Sequence, residues 1–108
     1  MKTRLGNKAT EINAFWGDQI PMLCTEECSE LIQAISKVER ALVQHENTKE
    51  SEDGFLRDTC RNRVTYTKEG LEVEIAYMYI VLAVLKKRYD LSDDKIDEYI
   101  DKKLEKRY

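Results

Sequence analysis

Three glutamates, Glu26, Glu27 and Glu30, stand in the order E-E-x-x-E, and a fourth, Glu74, precedes a long apolar stretch. On a helix turning about 100° per residue, the first three side chains fan over an arc of roughly 100°. Glu27 lies at the edge of an apolar seam, Glu30 further round and Glu26 furthest. Carboxylates crowded beside a core repel one another, and a divalent cation removes the conflict. Hard oxygen donors of this kind suit magnesium. If the helix carrying Glu74 packs against the helix carrying Glu27 and Glu30, their carboxylates meet, and inward carboxylates from facing helices build metal sites in helical bundles. Magnesium held there would supply positive charge and help to activate a water. Glutamate is also a good helix former, so the same spacing occurs on solvated helices whose acids only cap and solvate. Both readings follow from the spacing alone.

The elements that must position these residues are helical. The chain has 108 residues, with one Pro and four Gly, and Glu, Lys, Leu, Ile and Ala are frequent. The spacing predicts a short first helix ending near Gly17, with Ile12, Phe15 and Trp16 as apolar anchors. Asp18 offers an N-cap for the next helix, and Pro21 fits its first turn. From about Gln19 to Gln44, the residues Cys24, Cys28, Leu31, Ile35, Val38 and Leu42 alternate four and three apart, which predicts a narrow packing seam. Cys24 and Cys28 read as core filling within it. The segment 45–68 is polar and reads as a connection or insertion. Its Arg57, Arg61 and Arg63 form either a solvated face or a phosphate contact. Residues 69–88 predict a third helix, acidic at its start and basic at its end, with Ile75–Leu85 as its most buried part. Ser92 caps a last helix over 93–106, with Ile96, Tyr99, Ile100 and Leu104 on one face. The expected fold is all-α, a single domain over 1–108 forming a helical bundle with two long central helices.

Composition excludes several partners. Lys plus Arg number 18 against 21 for Asp plus Glu, a formal net charge of −3, so a nucleic-acid polymer is not expected, because polymer binding needs excess cations. The run Ile75–Leu85 is far short of the about 20 residues that span a bilayer, so no membrane partner is expected. The N-terminus carries no charged-then-apolar leader. Cys24, Cys28 and Cys60 have no paired metal spacing and read as reduced thiols of a cytoplasmic protein. The apolar Ile75–Leu85 helix exceeds what one short bundle covers, so completion by a second copy is expected, as a homodimer or homotetramer.

In the segments Met22–Ile32 and Glu74–Leu85 the chain resembles the MazG-like all-α nucleoside triphosphate pyrophosphohydrolases. That family carries E-E-x-x-E on one helix and E-x-x-D on the next. Met22-Leu23-Cys24-Thr25-Glu26-Glu27-Cys28-Ser29-Glu30-Leu31-Ile32 looks like the first motif, and Glu74-Ile75-Ala76-Tyr77 with the run to Leu85 looks like the second. Asp101 to Arg107 is similar to the family's basic last helix. The resemblance covers most of residues 16–108, apart from the middle segment. It implies a magnesium cofactor and hydrolysis of a nucleoside triphosphate to monophosphate and pyrophosphate. By carry-over, Glu27, Glu30 and Glu74 are the metal ligands, and Glu26 is a further ligand or positions the attacking water. Lys103 and Arg107, one helical turn apart, would meet the phosphates, or else form a solvated basic helix end. Trp16 would stack on the base, or else fill a core or interface. The chain departs from the family at Tyr77, where the second motif carries Asp. A neutral tyrosine, with an ordinary pKa near 10, is a much weaker magnesium ligand. The departure opens the alternative of a catalytically weakened relative that binds a nucleotide or a protein partner without efficient turnover.

Overall fold

The computed structural model describes residues 2–106, with the side chains of 4–106. The described residues form four α-helices and contain no strand: α1 (Lys2–Trp16), α2 (Ile20–Thr48), α3 (Gly54–Arg88) and α4 (Asp93–Glu105). A single 3-10 turn, Gly17–Gln19, joins α1 to α2. The all-α expectation holds. None of these helices is long and apolar enough to cross a membrane.

The expected polar connection over 45–68 is corrected. His45–Thr48 is the last turn of α2, and α3 begins at Gly54, so the connection shrinks to residues 49–53. The cause is local capping together with a continuing seam. The Asp53 carboxylate accepts the Leu56 N–H at 3.1 Å, and the Arg57 guanidinium donates to the Ser51 carbonyl at 3.0 Å. Asp53 is therefore the N-cap that starts α3. Beyond it, Cys60, Val64 and Thr67 continue a three-and-four spacing of covered positions into the rest of the helix. The arginines of this stretch have partners within the protein: Arg57 and Arg61 nearby in the chain, Arg63 across to α2. Arg61 pairs with Asp58 at 3.3 Å, and Arg63 donates to Gln44 at 2.9 Å.

The chain divides into two compact units, Pro21–Tyr79 and the remainder. The first unit is a helical hairpin made of α2 from Pro21 and α3 to Tyr79. Arg63 reaches Gln44, and Glu74 reaches Glu27 and Glu30, so the two helices of the hairpin run antiparallel. The covered positions of α2 run Cys24, Glu27, Leu31, Ala34, Val38, Ala41 and His45. On α3 they run Cys60, Val64, Thr67, Leu71, Glu74 and Met78. Both follow the alternating three-and-four spacing of a two-helix coiled coil.

This seam is rotated from the expected one. Cys24, Leu31 and Val38 are shared, but Glu27, Ala34 and Ala41 replace Cys28, Ile35 and Leu42, which are exposed. Cys28 is thus not a core filler, while Cys24 and Cys60 are buried thiols. Small side chains at 34 and 41 let the two backbones approach closely, and the larger Ile35 and Leu42 are left outside. Ile75–Leu85 is also corrected: Tyr79 is 60% and Leu82 50% exposed, although Val81 and Val84 are buried. A helix that is apolar on nearly all sides needs neighbours on all sides, and a hairpin supplies one.

The second unit contains α1, the 3-10 turn, α3 from Ile80, and α4. Ala9, Ile20, Val81 and Val84 are buried in it. Asn13 Nδ2 donates to the Ala9 carbonyl and to the Val84 carbonyl at 3.1 Å, and Arg88 donates to the Gly17 carbonyl at 2.7 Å. Gly17 has φ +52°, which ends α1 in the left-handed conformation that glycine tolerates. Asp18 lies within the 3-10 turn and does not cap α2. Its carboxylate sits 3.6 Å from the Arg88 guanidinium. At the end of α3, Asp90 has φ +52° and the Leu91 N–H donates to the Lys86 carbonyl at 2.9 Å, the closing bond of a Schellman turn. Ser92 caps α4 as expected, its hydroxyl accepting the Lys95 N–H at 3.2 Å. Ser92→Ala is expected to lower stability by about 1 kcal/mol, checked by chemical denaturation.

Candidate metal centre

The hairpin places two glutamates where a coiled coil normally carries apolar residues. Glu27 is a seam position of α2 and Glu74 a seam position of α3, both half-buried. Glu30, one turn after Glu27, stands on the exposed flank of the same seam. The antiparallel register brings the three together, with one carboxylate oxygen from each lying within 4.8 Å of the others. At that separation two full charges repel by about 1 to 3 kcal/mol, according to how much water reaches them.

The electrostatics record the crowding. Burial first, then the charges of Glu30 and Glu74, a hydrogen bond with Glu30 and the charge of Glu26 push the Glu27 carboxyl above its ordinary value of 4.5. Two of the oxygens, Glu27 Oε2 and Glu74 Oε2, are buried without a hydrogen-bond partner. A buried carboxylate oxygen left unpaired is costly, and a cation satisfies it. The donor set is all carboxylate oxygen, the chemistry that hard divalent cations such as magnesium take. The residues present therefore fit such an ion.

A pH dependence follows for the metal-free protein. The Glu27 pKa is higher in the folded chain than in the unfolded one, so the folded state holds this proton more tightly. The resulting stability is fully present below the ordinary glutamate value and is lost as pH rises through the raised value. Denaturation in the presence of a chelator should show stability falling with pH across that window. Glu27→Gln should flatten this component.

The other expected site residues lie elsewhere in the chain. Glu26 is exposed on α2 next to Glu27 and is not one of the converging group. Tyr77 is 46% exposed. Trp16 is 40% exposed at the end of α1, edge-on to Phe15 at 5.4 Å. Lys103 is exposed on α4, and Arg107 lies outside the described residues.

Sequence reasoning did not single out the groove beside the three glutamates. It has a volume of about 350 Å³, and Glu30 and Glu74 form part of its wall. Gln33, Lys37, Tyr66 and Gly70 also line it. Their signal was present in the spacing: Glu30, Gln33 and Lys37 share one flank of α2, and Tyr66, Gly70, Val73 and Tyr77 recur at four, three and four on α3. The chain matches no protein-family model, no curated protein and no solved structure.

Proposed function

We propose that this chain is a magnesium-dependent nucleotide pyrophosphohydrolase of the MazG-like type, converting a nucleoside triphosphate and water to the monophosphate and pyrophosphate. The convergence of Glu27, Glu30 and Glu74 within 4.8 Å carries the reading. These three would hold the ion, two of them through seam oxygens that lack any other partner. When bound, magnesium supplies positive charge to the phosphate oxygens and acidity to a water. Glu26, exposed next to the ligands, is the carboxylate free to orient the attacking water and take its proton. The protein works in the cytoplasm as a homodimer or homotetramer, with a second copy covering the apolar side chains that α3 leaves exposed, Tyr79 and Leu82 among them.

Pyrophosphate release from a panel of nucleoside triphosphates tests this, with magnesium and with chelator. Magnesium-dependent release from at least one nucleotide is expected. Its absence from every one at high protein concentration overturns catalysis. The position of Tyr77 favours a second reading, a weakened relative that binds nucleotide without efficient turnover. That reading expects nucleotide and metal binding by calorimetry with no release.

A further inference from the structure

The groove beside the three glutamates is built by a ladder of facing residues. On α2, Glu30, Gln33 and Lys37 follow one flank. On α3, running the opposite way, Glu74, Gly70 and Tyr66 follow the other. From Glu30 to Lys37 is seven residues, a rise of about 10.5 Å along the helix. The buried Ala34 and the half-buried Thr67 also line it. A Cβ at Gly70 would meet no atom within 4 Å, so the middle of the groove is open beside this position. At the end away from the glutamates stands Tyr66, 75% exposed.

The two ends differ in chemistry. Near the triad, Glu30 and Glu74 make the wall acidic, so phosphates are tolerated there only beside a cation, while Glu69 stands past Gly70 toward the Tyr66 end, where Lys37 also lines the wall. Further along, the walls are an aromatic ring, small apolar surfaces and a primary amide. That combination suits a flat base, with π-faces to stack and polar edges to hydrogen bond. Gln33 offers both donor and acceptor atoms.

Resting on the metal-centre reading, we propose that this groove seats the nucleoside half of the substrate, the sugar passing through the Gly70 gap and the base lying between Gln33 and Tyr66. The polyphosphate stays at the triad. Lys37 is the one cation in this wall.

The test measures binding by calorimetry for the natural chain, Gly70→Leu and Tyr66→Ala. The probes are Mn²⁺ alone, an α,β-methylene nucleoside triphosphate with magnesium, and inorganic tripolyphosphate with magnesium. Leucine is a good helix former and meets open space at position 70, and thermal melts confirm that each variant is folded. Gly70→Leu should weaken the nucleotide analogue about tenfold or more, as a filled groove would. Tyr66→Ala should weaken it by about fivefold, the lower range for loss of one base-stacking ring. Mn²⁺ and tripolyphosphate affinities should stay unchanged in both. Analogue affinity unchanged in folded Gly70→Leu, with Mn²⁺ binding intact, overturns this proposal alone. A natural chain that fails to bind Mn²⁺ overturns the metal-centre reading and this proposal with it. Tripolyphosphate falling in parallel with the analogue assigns the groove to phosphate and also overturns the proposal.

Discussion

Glu30→Gln is expected to remove divalent-ion binding and pyrophosphate release together while leaving the metal-free fold at least as stable. The amide matches the carboxylate in size but offers only a neutral carbonyl oxygen. Loss of groups that merely support metal ligands already costs about 10- to 100-fold in affinity, so loss of a ligand should cost at least about 100-fold. The stability effect runs the other way. Glu30 is one of three carboxylates whose oxygens lie within 4.8 Å, and its charge helps to push Glu27 above its ordinary value. Neutralising it relieves part of that repulsion. Opposite signs for binding and stability separate a ligand from a residue needed only for folding. Calorimetry with Mn²⁺ and chemical denaturation with chelator read the two quantities. Unchanged Mn²⁺ affinity in Glu30→Gln would sink the metal centre.

Tyr77→Asp is expected to raise magnesium affinity about tenfold or more and to increase pyrophosphate release. Tyr77 follows Glu74 by three residues on α3, on the same stripe as Gly70 and Val73, which line the groove. A carboxylate there adds a fourth hard oxygen donor next to Glu74, on the flank that faces Glu30. Tyr77 is 46% exposed, so trimming its ring opens no large cavity within the hairpin. The metal-free variant should be less stable, because another negative charge joins a group that already repels itself. Tyr77→Asn is the control, nearly the same shape without the charge. If Asp and Asn behave alike toward magnesium, position 77 is not part of the ion's surroundings. A large gain with Asp alone favours the reading in which the natural chain has lost a ligand.

Much of the candidate site was legible because helix geometry is local. Glu27 and Glu30 are one turn apart wherever α2 packs, and the basic run Lys86, Lys87 and Arg88 marks the end of α3, although the acids around Glu74 lie inside that helix and not at its start. The caps at Ser92 and Gly17 were legible for the same reason: each is satisfied by atoms within a few residues. Asp53 was equally local but escaped notice, because few apolar residues follow it. The first four turns of α3 therefore read as a polar connection.

Which stripe of α2 faces α3 was not legible. The sequence offers two, sharing Cys24, Leu31 and Val38 and differing by Glu27, Ala34 and Ala41 against Cys28, Ile35 and Leu42. Hydrophobicity favours the second, and the hairpin uses the first. Close approach of two helices rewards small side chains at 34 and 41, and that reward exists only once a partner helix is present. The same choice turns Glu27 inward toward Glu74.

The sequence by itself determined that the chain is helical, where most helices end, and that acidic side chains recur one turn apart. Tertiary structure alone decided that carboxylates distant in the chain share one small volume with a groove beside it. The reason is physical: rotation and capping depend on neighbours within a turn, whereas facing and register depend on a surface that folding itself creates. If Glu74 does not meet Glu27 and Glu30 in solution, the site dissolves although every helix remains.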